Sequence, residues 1–331
     1  MLKGLYLLDQ CDRIYSKQVQ NEISQLVDIV GPSQTKESLE NDYSILENTE
    51  VLFGGWGTPS MDQYFLEAAP NLKAVFYAAG SVKKLVTDSF WQRGIVLTSA
   101  VAANAIPTAE YALGQVLFSL KRGWYHVKHV KESKEKADRG KMVGAYKSTV
   151  GIISLGHVGQ HLARLLVSFD VNVIAYDPYF TPDLAKALDV KLVDLDYLFE
   201  KADVVSIHAP HLPETEGMIT GKQLALMKEN ATFINTARGQ IVKQEEMVDV
   251  LLKRPDLFAI LDVTHPWKLK PKTKLYQLYD MDNVIITPHI AGSQANECYR
   301  LGDYMLDELN RFIKGEPLKY QVTKEQLTLL A

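Results

Sequence analysis

Short apolar runs bounded by turn residues alternate along this chain with longer stretches whose apolar positions recur at helical spacing. In the first third, apolar runs at 4–8, 51–53, 72–77 and 95–98 predict strands, and stretches between them, such as 60–69 before Pro70, predict helices. That alternation implies a small α/β unit with a parallel sheet. A helix is predicted from Asn104, with Pro107 in its first turn, where a missing N–H costs nothing. Ala109, Ala112, Leu113, Val116, Leu117 and Leu120 give it a wide apolar face, fit to bridge domains or meet a second subunit. Residues 124–147 are polar and Lys-rich and read as a surface arm, in which His126 and His129 read as solvated. Strands are then predicted at 150–154, 171–176, 191–193, 204–208, 232–235, 259–262 and 284–287, a doubly wound sheet running to about residue 290. The last stretch, 299–312, has the pattern of an amphipathic helix that returns to the first unit. The expected fold is α/β with two domains: a discontinuous one of 1–103 plus 293–331, and an inserted one of 104–292.

Within the inserted unit, 149–178 stands out. A strand is followed by the turn Leu155-Gly156-His157-Val158-Gly159, a helix carrying Leu162, Leu165, Leu166 and Phe169 on one stripe, and a second strand closed by Asp177. Dinucleotide-binding folds use this order, because the helix N-terminus faces a pyrophosphate and the acid accepts from ribose hydroxyls. Ser154 stands where the first glycine of the motif would be, which a turn accommodates if its φ is negative. The plainer alternative is a βαβ unit with no ligand, but that leaves an acid at the second strand end without a reason. Asp177 favours NAD over NADP, since a carboxylate repels a 2′-phosphate.

Most later strands stop at a polar cluster, and such a sheet collects its site at those ends. The clusters are His208-Ala209-Pro210, Asn235-Thr236-Ala237-Arg238-Gly239, Asp262-Val263-Thr264-His265-Pro266 and Thr287-Pro288-His289-Ile290-Ala291-Gly292. Arg238 can hold a carboxylate through two parallel hydrogen bonds; the alternative is a structural Arg paired with a core acid. His289 can exchange a proton near neutral pH; the alternative is a satisfied interior histidine. Together with a nucleotide turn they are the parts for hydride transfer between NAD and a 2-hydroxy acid. In the first unit, Ala78-Ala79-Gly80-Ser81-Val82 reads as an anion-binding loop, and Gly54-Gly55-Trp56-Gly57 reads equally well as that or as a plain turn.

Composition narrows the classes. In 331 residues, 47% hydrophobic and 23% charged positions describe a globular protein, and a net charge of −4 gives no reason to expect nucleic acid or an anionic membrane. Two cysteines are too few for a disulfide framework and neither has metal-ligand spacing, so a reducing compartment and no metal are expected. The apolar run at the N-terminus is too short for a signal peptide and no run reaches membrane-spanning length, so a cytoplasmic protein is expected. The missing signal peptide and Asp177 also disfavour a non-nucleotide sugar or amino-acid binding protein of periplasmic type.

The strand-end motifs, with Leu155-Gly156-His157-Val158-Gly159, Ala78-Ala79-Gly80-Ser81-Val82 and Asn104-Ala105-Ile106-Pro107-Thr108-Ala109-Glu110, resemble the D-isomer-specific 2-hydroxyacid dehydrogenase family over nearly the whole chain. The resemblance implies a flavodoxin-like substrate domain, an inserted Rossmann-type NAD domain, and a homodimer built around the helix near Asn104. It implies a 2-hydroxy or 2-oxo acid whose carboxylate is held by Arg238 and by amides near Ala79 and Gly80, with His289 as acid and base. It implies NAD at Gly156, His157, Val158, Gly159, Asp177, His208, Ala209, Pro210, Thr236, Ala237, Asp262 and Gly292. The family usually has a Glu bonded to the catalytic His; by spacing Trp267 takes that place, and an indole has no acceptor. Three outcomes follow: His289 works alone with a lower pKa, another acid such as Glu297 turns to it, or NAD binds with little catalysis. The leading expectation is a 2-oxoacid reductase, and the competing one a catalytically impaired regulatory or scaffold protein that senses NAD(H).

Overall fold

The computed structural model describes residues 1–135, 139–140 and 142–328. Two compact units divide the chain: Met1–Asn104 together with the segment from Ser293 onward, and Ala105–Gly292. The first boundary falls inside one helix, Val101–Ser119.

In the first unit, strands β1 (Leu2–Leu7), β2 (Val27–Ile29), β3 (Val51–Gly54), β4 (Ala74–Tyr77) and β5 (Val96–Ser99) pair in parallel in the order β2-β1-β3-β4-β5. That is the flavodoxin-like order. Alternate residues feed two apolar layers, as a period of two requires. Leu7, Leu52, Val75 and Leu97 pack with Phe65 and Phe90, whereas Tyr6, Phe53 and Phe76 pack with Leu301, Met305 and Leu309. The last three lie on the helix Tyr299–Lys314, which Gly315 ends at φ 69°. Strand β2 was not expected: it is three residues long with Asp28 exposed, too short and too polar to read as a buried run. The predicted 60–69 helix is Gln63–Ala68, because the Asp62 carboxylate accepts from Phe65 N–H and fixes the start.

The second unit holds β6 (Thr149–Ile153), β7 (Asn172–Tyr176), β8 (Lys191–Leu192), β9 (Val204–Ile207), β10 (Thr232–Asn235), β11 (Phe258–Leu261) and β12 (Val284–Ile286). All pair in parallel, in the order β12-β11-β10-β9-β6-β7-β8, so the order reverses beside β6 as in a Rossmann-type sheet. The strands β9, β10 and β11 are buried at every residue, which is why they read as unbroken apolar runs rather than alternation.

Three expectations about this region need correction. The helix begins at Val101, not Asn104, because Ser99 Oγ accepts from Val101 N–H and starts the turn early; Pro107 therefore lies inside the helix. The helix after the glycine turn stops at Leu166, and Phe169 packs on the same core from just beyond its end. Of the predicted surface arm, Gly123–Ser133 is helical, while 136–138 and 141 lie outside the described residues. There His129 is exposed and stacked on Tyr125, but His126 is half-buried with its Nε2 out of water and without a partner among the described residues, so it is not solvated as expected. No helix among the described residues is long and apolar enough to cross a membrane.

Candidate active site

Parallel pairing places the carboxyl ends of β6, β7, β9, β10, β11 and β12 along one edge, and the loops leaving them carry the expected site residues of the second unit. At the first loop Ser154 takes φ 74°, which overturns the expected negative value. Three hydrogen bonds hold it in this left-handed conformation. Its N–H donates to Tyr176 O at 2.8 Å, and Asp177 Oδ2 accepts from Leu155 N–H at 2.7 Å and from Ser154 Oγ at 3.4 Å. Asp177 thus ties its own strand end to the turn, while Oδ1 accepts from Tyr179 N–H. Gly159 follows from packing: a Cβ there would overlap the Ser154 carbonyl oxygen. Gly156 caps the helix His157–Leu166 with no side-chain bond, so the amides of His157 and Val158 open the helix toward whatever lies outside the turn. Open amides at a helix start and a carboxylate at the next strand end are the groups with which such folds hold a pyrophosphate and ribose hydroxyls.

His208 leaves β9 and is half-buried, with Nε2 at 3.0 Å from Ser206 Oγ and Nδ1 at 3.5 Å from Thr236 Oγ1. Burial pushes its pKa down to about 3, so the ring is neutral and acts as a spacer between two loops. Ala209 and Ala237 are buried beside it, and Pro210 is half-buried. Asn235, to which sequence reasoning gave no separate role, clamps the next loop. Its Oδ1 accepts from Ala237 N–H at 3.0 Å and its Nδ2 donates to Arg238 O at 3.0 Å. Arg238 is largely buried, which lowers its pKa, and its Nη1 donates to Ala237 O. No carboxylate among the described residues pairs with it, so the alternative of a structural Arg paired with a core acid is not what is seen.

Asp262 is fully buried at the end of β11, and it organises the histidine loop. Oδ1 accepts from Thr287 Oγ1 at 2.6 Å and from Ile290 N–H at 2.8 Å; Oδ2 accepts from Ala291 N–H at 2.9 Å. Tyr111 adds a bond to Thr287 Oγ1 at 3.0 Å. Between these anchors His289 is held at φ 54°, a left-handed conformation that non-glycine residues adopt only when their surroundings impose it. Desolvation lowers the His289 pKa, the Arg238 charge lowers it further, and Asp262 opposes both. Gly292 follows in the same loop, half-buried. The Trp267 ring lies 5.8 Å from the His289 ring at 45°, while 51% of Trp267 remains exposed. Glu297 belongs to the first unit and is engaged there: its Oε2 accepts from Gln294 N–H at 2.9 Å in a capping box.

Ala79 and Gly80 also belong to the first unit, after β4. Ser99 Oγ donates to Gly80 O at 2.8 Å and shapes the loop. The Ala79 amide already donates to Tyr77 O at 2.9 Å, so it is not open to a carboxylate as expected; the amides of Gly80, Ser81 and Val82 make no such bond among the described residues. The Gly54–Gly57 loop behaves as a structural turn. Thr58 Oγ1 ties it down, and Gly57 at φ 88° leaves no room for a Cβ beside the Asp9 carboxylate.

The sheet order, the glycine turn and the polar loops at the strand ends are those of the Rossmann-type dinucleotide-binding class of α/β folds. The family model described as "D-isomer specific 2-hydroxyacid dehydrogenase, NAD binding domain" matches residues 113–291. The D-3-phosphoglycerate dehydrogenase of Archaeoglobus fulgidus is 32% identical over 262 residues, 79% of this chain and 49% of that protein. The glyoxylate reductase of Korarchaeum cryptofilum is 30% identical over 263 residues, 78% of each chain. The apo D-mandelate dehydrogenase of Rhodotorula graminis shares the fold at a TM-score of 0.81 and 20% identity, covering 98% of both chains. The chain belongs to the D-isomer specific 2-hydroxyacid dehydrogenase family, and Ala105–Gly292 contains its NAD-binding domain. It spans about half the length of the phosphoglycerate dehydrogenases it matches.

Proposed function

We propose that this protein interconverts a 2-oxo acid and its 2-hydroxy acid with NAD(H), working as a reductase. The observation that carries this reading is a largely buried Arg238 with no acid partner among the described residues, close enough to His289 for its charge to lower the histidine pKa. A desolvated guanidinium without a counter-ion is a site for a carboxylate, and it holds one through two parallel bonds. With the carboxylate fixed there, the adjacent 2-oxo oxygen comes to the imidazolium. NADH, when bound at the glycine turn, supplies the hydride to the carbonyl carbon. His289 gives its proton to the oxygen as the C=O π bond breaks, leaving a 2-hydroxy acid and a neutral ring. Asp262 keeps the ring in place through the loop backbone, and Asn235 does the same for Arg238.

NADH oxidation by the purified protein against a panel of 2-oxo acids tests this. Arg238→Ala should lower kcat/KM roughly 10²–10³-fold, as loss of a charge-stabilising donor does. Turnover with no 2-oxo acid, while NADH still binds, would overturn it. That result would favour the second reading, a catalytically impaired NAD(H)-sensing regulatory or scaffold protein. The indole beside His289, where a carboxylate would sustain the imidazolium, supports that second reading. A homodimer built on the Val101–Ser119 helix belongs to the same proposal. Phe118, Tyr125, Val127 and Val130 leave apolar surface exposed in this region, and light scattering on the eluting protein reads the mass directly.

A further inference from the structure

His289 owes its orientation to its backbone. No side chain among the described residues hydrogen-bonds its ring, and the Trp267 indole beside it has no acceptor to offer. The ring therefore goes where its loop goes. Thr287 sets that loop: its N–H donates to Leu261 O at 3.0 Å, and its carbonyl accepts from His289 N–H at 3.0 Å. Whatever fixes Thr287 also fixes the histidine two residues on.

Two partners hold the Thr287 side chain, and the proton count gives each bond a direction. The Asp262 carboxylate accepts from backbone N–H groups on both oxygens and has no proton to give. The single hydroxyl proton of Thr287 therefore goes to Asp262, across 2.6 Å. Thr287 Oγ1 must then accept at its 3.0 Å contact with Tyr111, so the phenol is the donor there. Burial raises the Tyr111 pKa, which keeps that proton on the phenol at neutral pH. Further back, Trp124 Nε1 can only donate, and it donates to Gln115 Oε1 at 2.9 Å, which turns the Gln115 amide nitrogen the other way. Gln115 in turn hydrogen-bonds Tyr111 in the sense that lowers the phenol pKa, as a donor does.

Every bond from Trp124 to Asp262 thus points the same way and ends on a buried carboxylate, an arrangement in which each bond strengthens the next. All of these residues lie within Ala105–Gly292. Tyr111 and Gln115 lie one turn apart on the helix Val101–Ser119, so the chain joins a long helix to the histidine loop.

We infer that Tyr111 is a positioning residue for His289, acting through Thr287 and Asp262 and oriented in turn by Gln115 and Trp124. The helix, rather than a carboxylate at position 267, keeps the proton-transferring ring in place. The inference rests on the reading of His289 as acid and base given above.

Steady-state kinetics with the 2-oxo acid turned over fastest, together with hydrogen exchange, test it. Tyr111→Phe removes one hydroxyl and keeps the ring. It should lower kcat roughly tenfold, as a small misplacement of a reacting group does, with KM and NADH affinity within about twofold of the parent. Thr287→Val should lower kcat at least as far, and Thr287→Ser, which keeps the hydroxyl, should recover most of that loss. Adding Tyr111→Phe to Thr287→Val should cost nothing more, because both changes cut one chain. Exchange at the Ile290 and Ala291 amides, which donate to Asp262, should quicken roughly tenfold in Tyr111→Phe. Unaltered kcat in Tyr111→Phe overturns the inference, whatever its Tm, and so do losses that multiply in the double variant. Should no 2-oxo acid be reduced, exchange decides alone. Faster exchange then upholds the Tyr111 assignment while the catalytic reading falls, and unchanged exchange sinks both.

Discussion

His289 carries opposing influences that fix its pH behaviour. Desolvation and the Arg238 charge disfavour the imidazolium, and buried Asp262 favours it, with a net lowering from the ordinary value of 6.5. Reduction needs the protonated ring. Reductive kcat/KM should therefore be full at acidic pH and fall as pH rises through a pKa below 6.5, and oxidation should show the mirror image. Trp267→Glu would put an anion beside the ring, so the falling limb should move to higher pH; Trp267→Phe keeps an aromatic contact and should leave it nearly unmoved. Stopped-flow rates across pH decide this, and an unmoved limb in the Glu variant would mean that residue 267 has no bearing on the proton. Removing the ring's acid function altogether, as His289→Gln, should cost roughly 10²–10⁴-fold in kcat with NADH affinity retained.

At the scale of elements, the turn between β6 and its helix sets the cofactor site. Ser154 at φ 74° pays roughly 1 kcal/mol for a conformation glycine takes freely, and its Oγ bond to Asp177, at 3.4 Å, is too long to return all of it. Ser154→Gly should raise Tm by a degree or two without loss of NADH affinity, read by thermal denaturation and NADH fluorescence. Gly159→Ala should do the opposite, since the added methyl meets a backbone carbonyl that cannot withdraw without opening the turn. The sequence made every strand but β2 legible, to within a residue or two, because buried parallel strands are unbroken apolar runs, whereas β2 is short with Asp28 exposed. It also placed Arg238, His289 and Trp267, through motifs at strand ends. What it hid depends on backbone angles and on contacts distant in sequence. Nothing in the residue type announces a positive φ at Ser154 or His289. The start of the Val101 helix depends on a Ser99 cap placed two residues ahead of it, and the role of Asp262 on a loop some 25 residues away.

At the scale of the molecule, acid should act unevenly on the two units, because His208 belongs to only one of them. Its pKa falls from 6.5 to about 3 on folding, as burial excludes the charged ring. Between those values the unfolded chain binds a proton that the folded chain refuses. Stability from this residue is thus complete above pH 6.5 and is lost progressively as pH falls toward 3. At pH 5 the loss should be about 2 kcal/mol, a sizeable fraction of a typical domain's 5–15 kcal/mol. NADH at a hundred times its Kd would return about 2.7 kcal/mol to the unit that binds it, and so offset the loss. His208→Gln cannot titrate, and it can keep hydrogen bonds to Ser206 and Thr236. Urea unfolding at pH 7 and pH 5, followed by hydrogen exchange, should show the loss within Ala105–Gly292, reduced by NADH and much diminished in the Gln variant. An equal loss in that variant would assign the acid sensitivity to carboxylates instead, and His208 would then be a spacer with no part in the pH response.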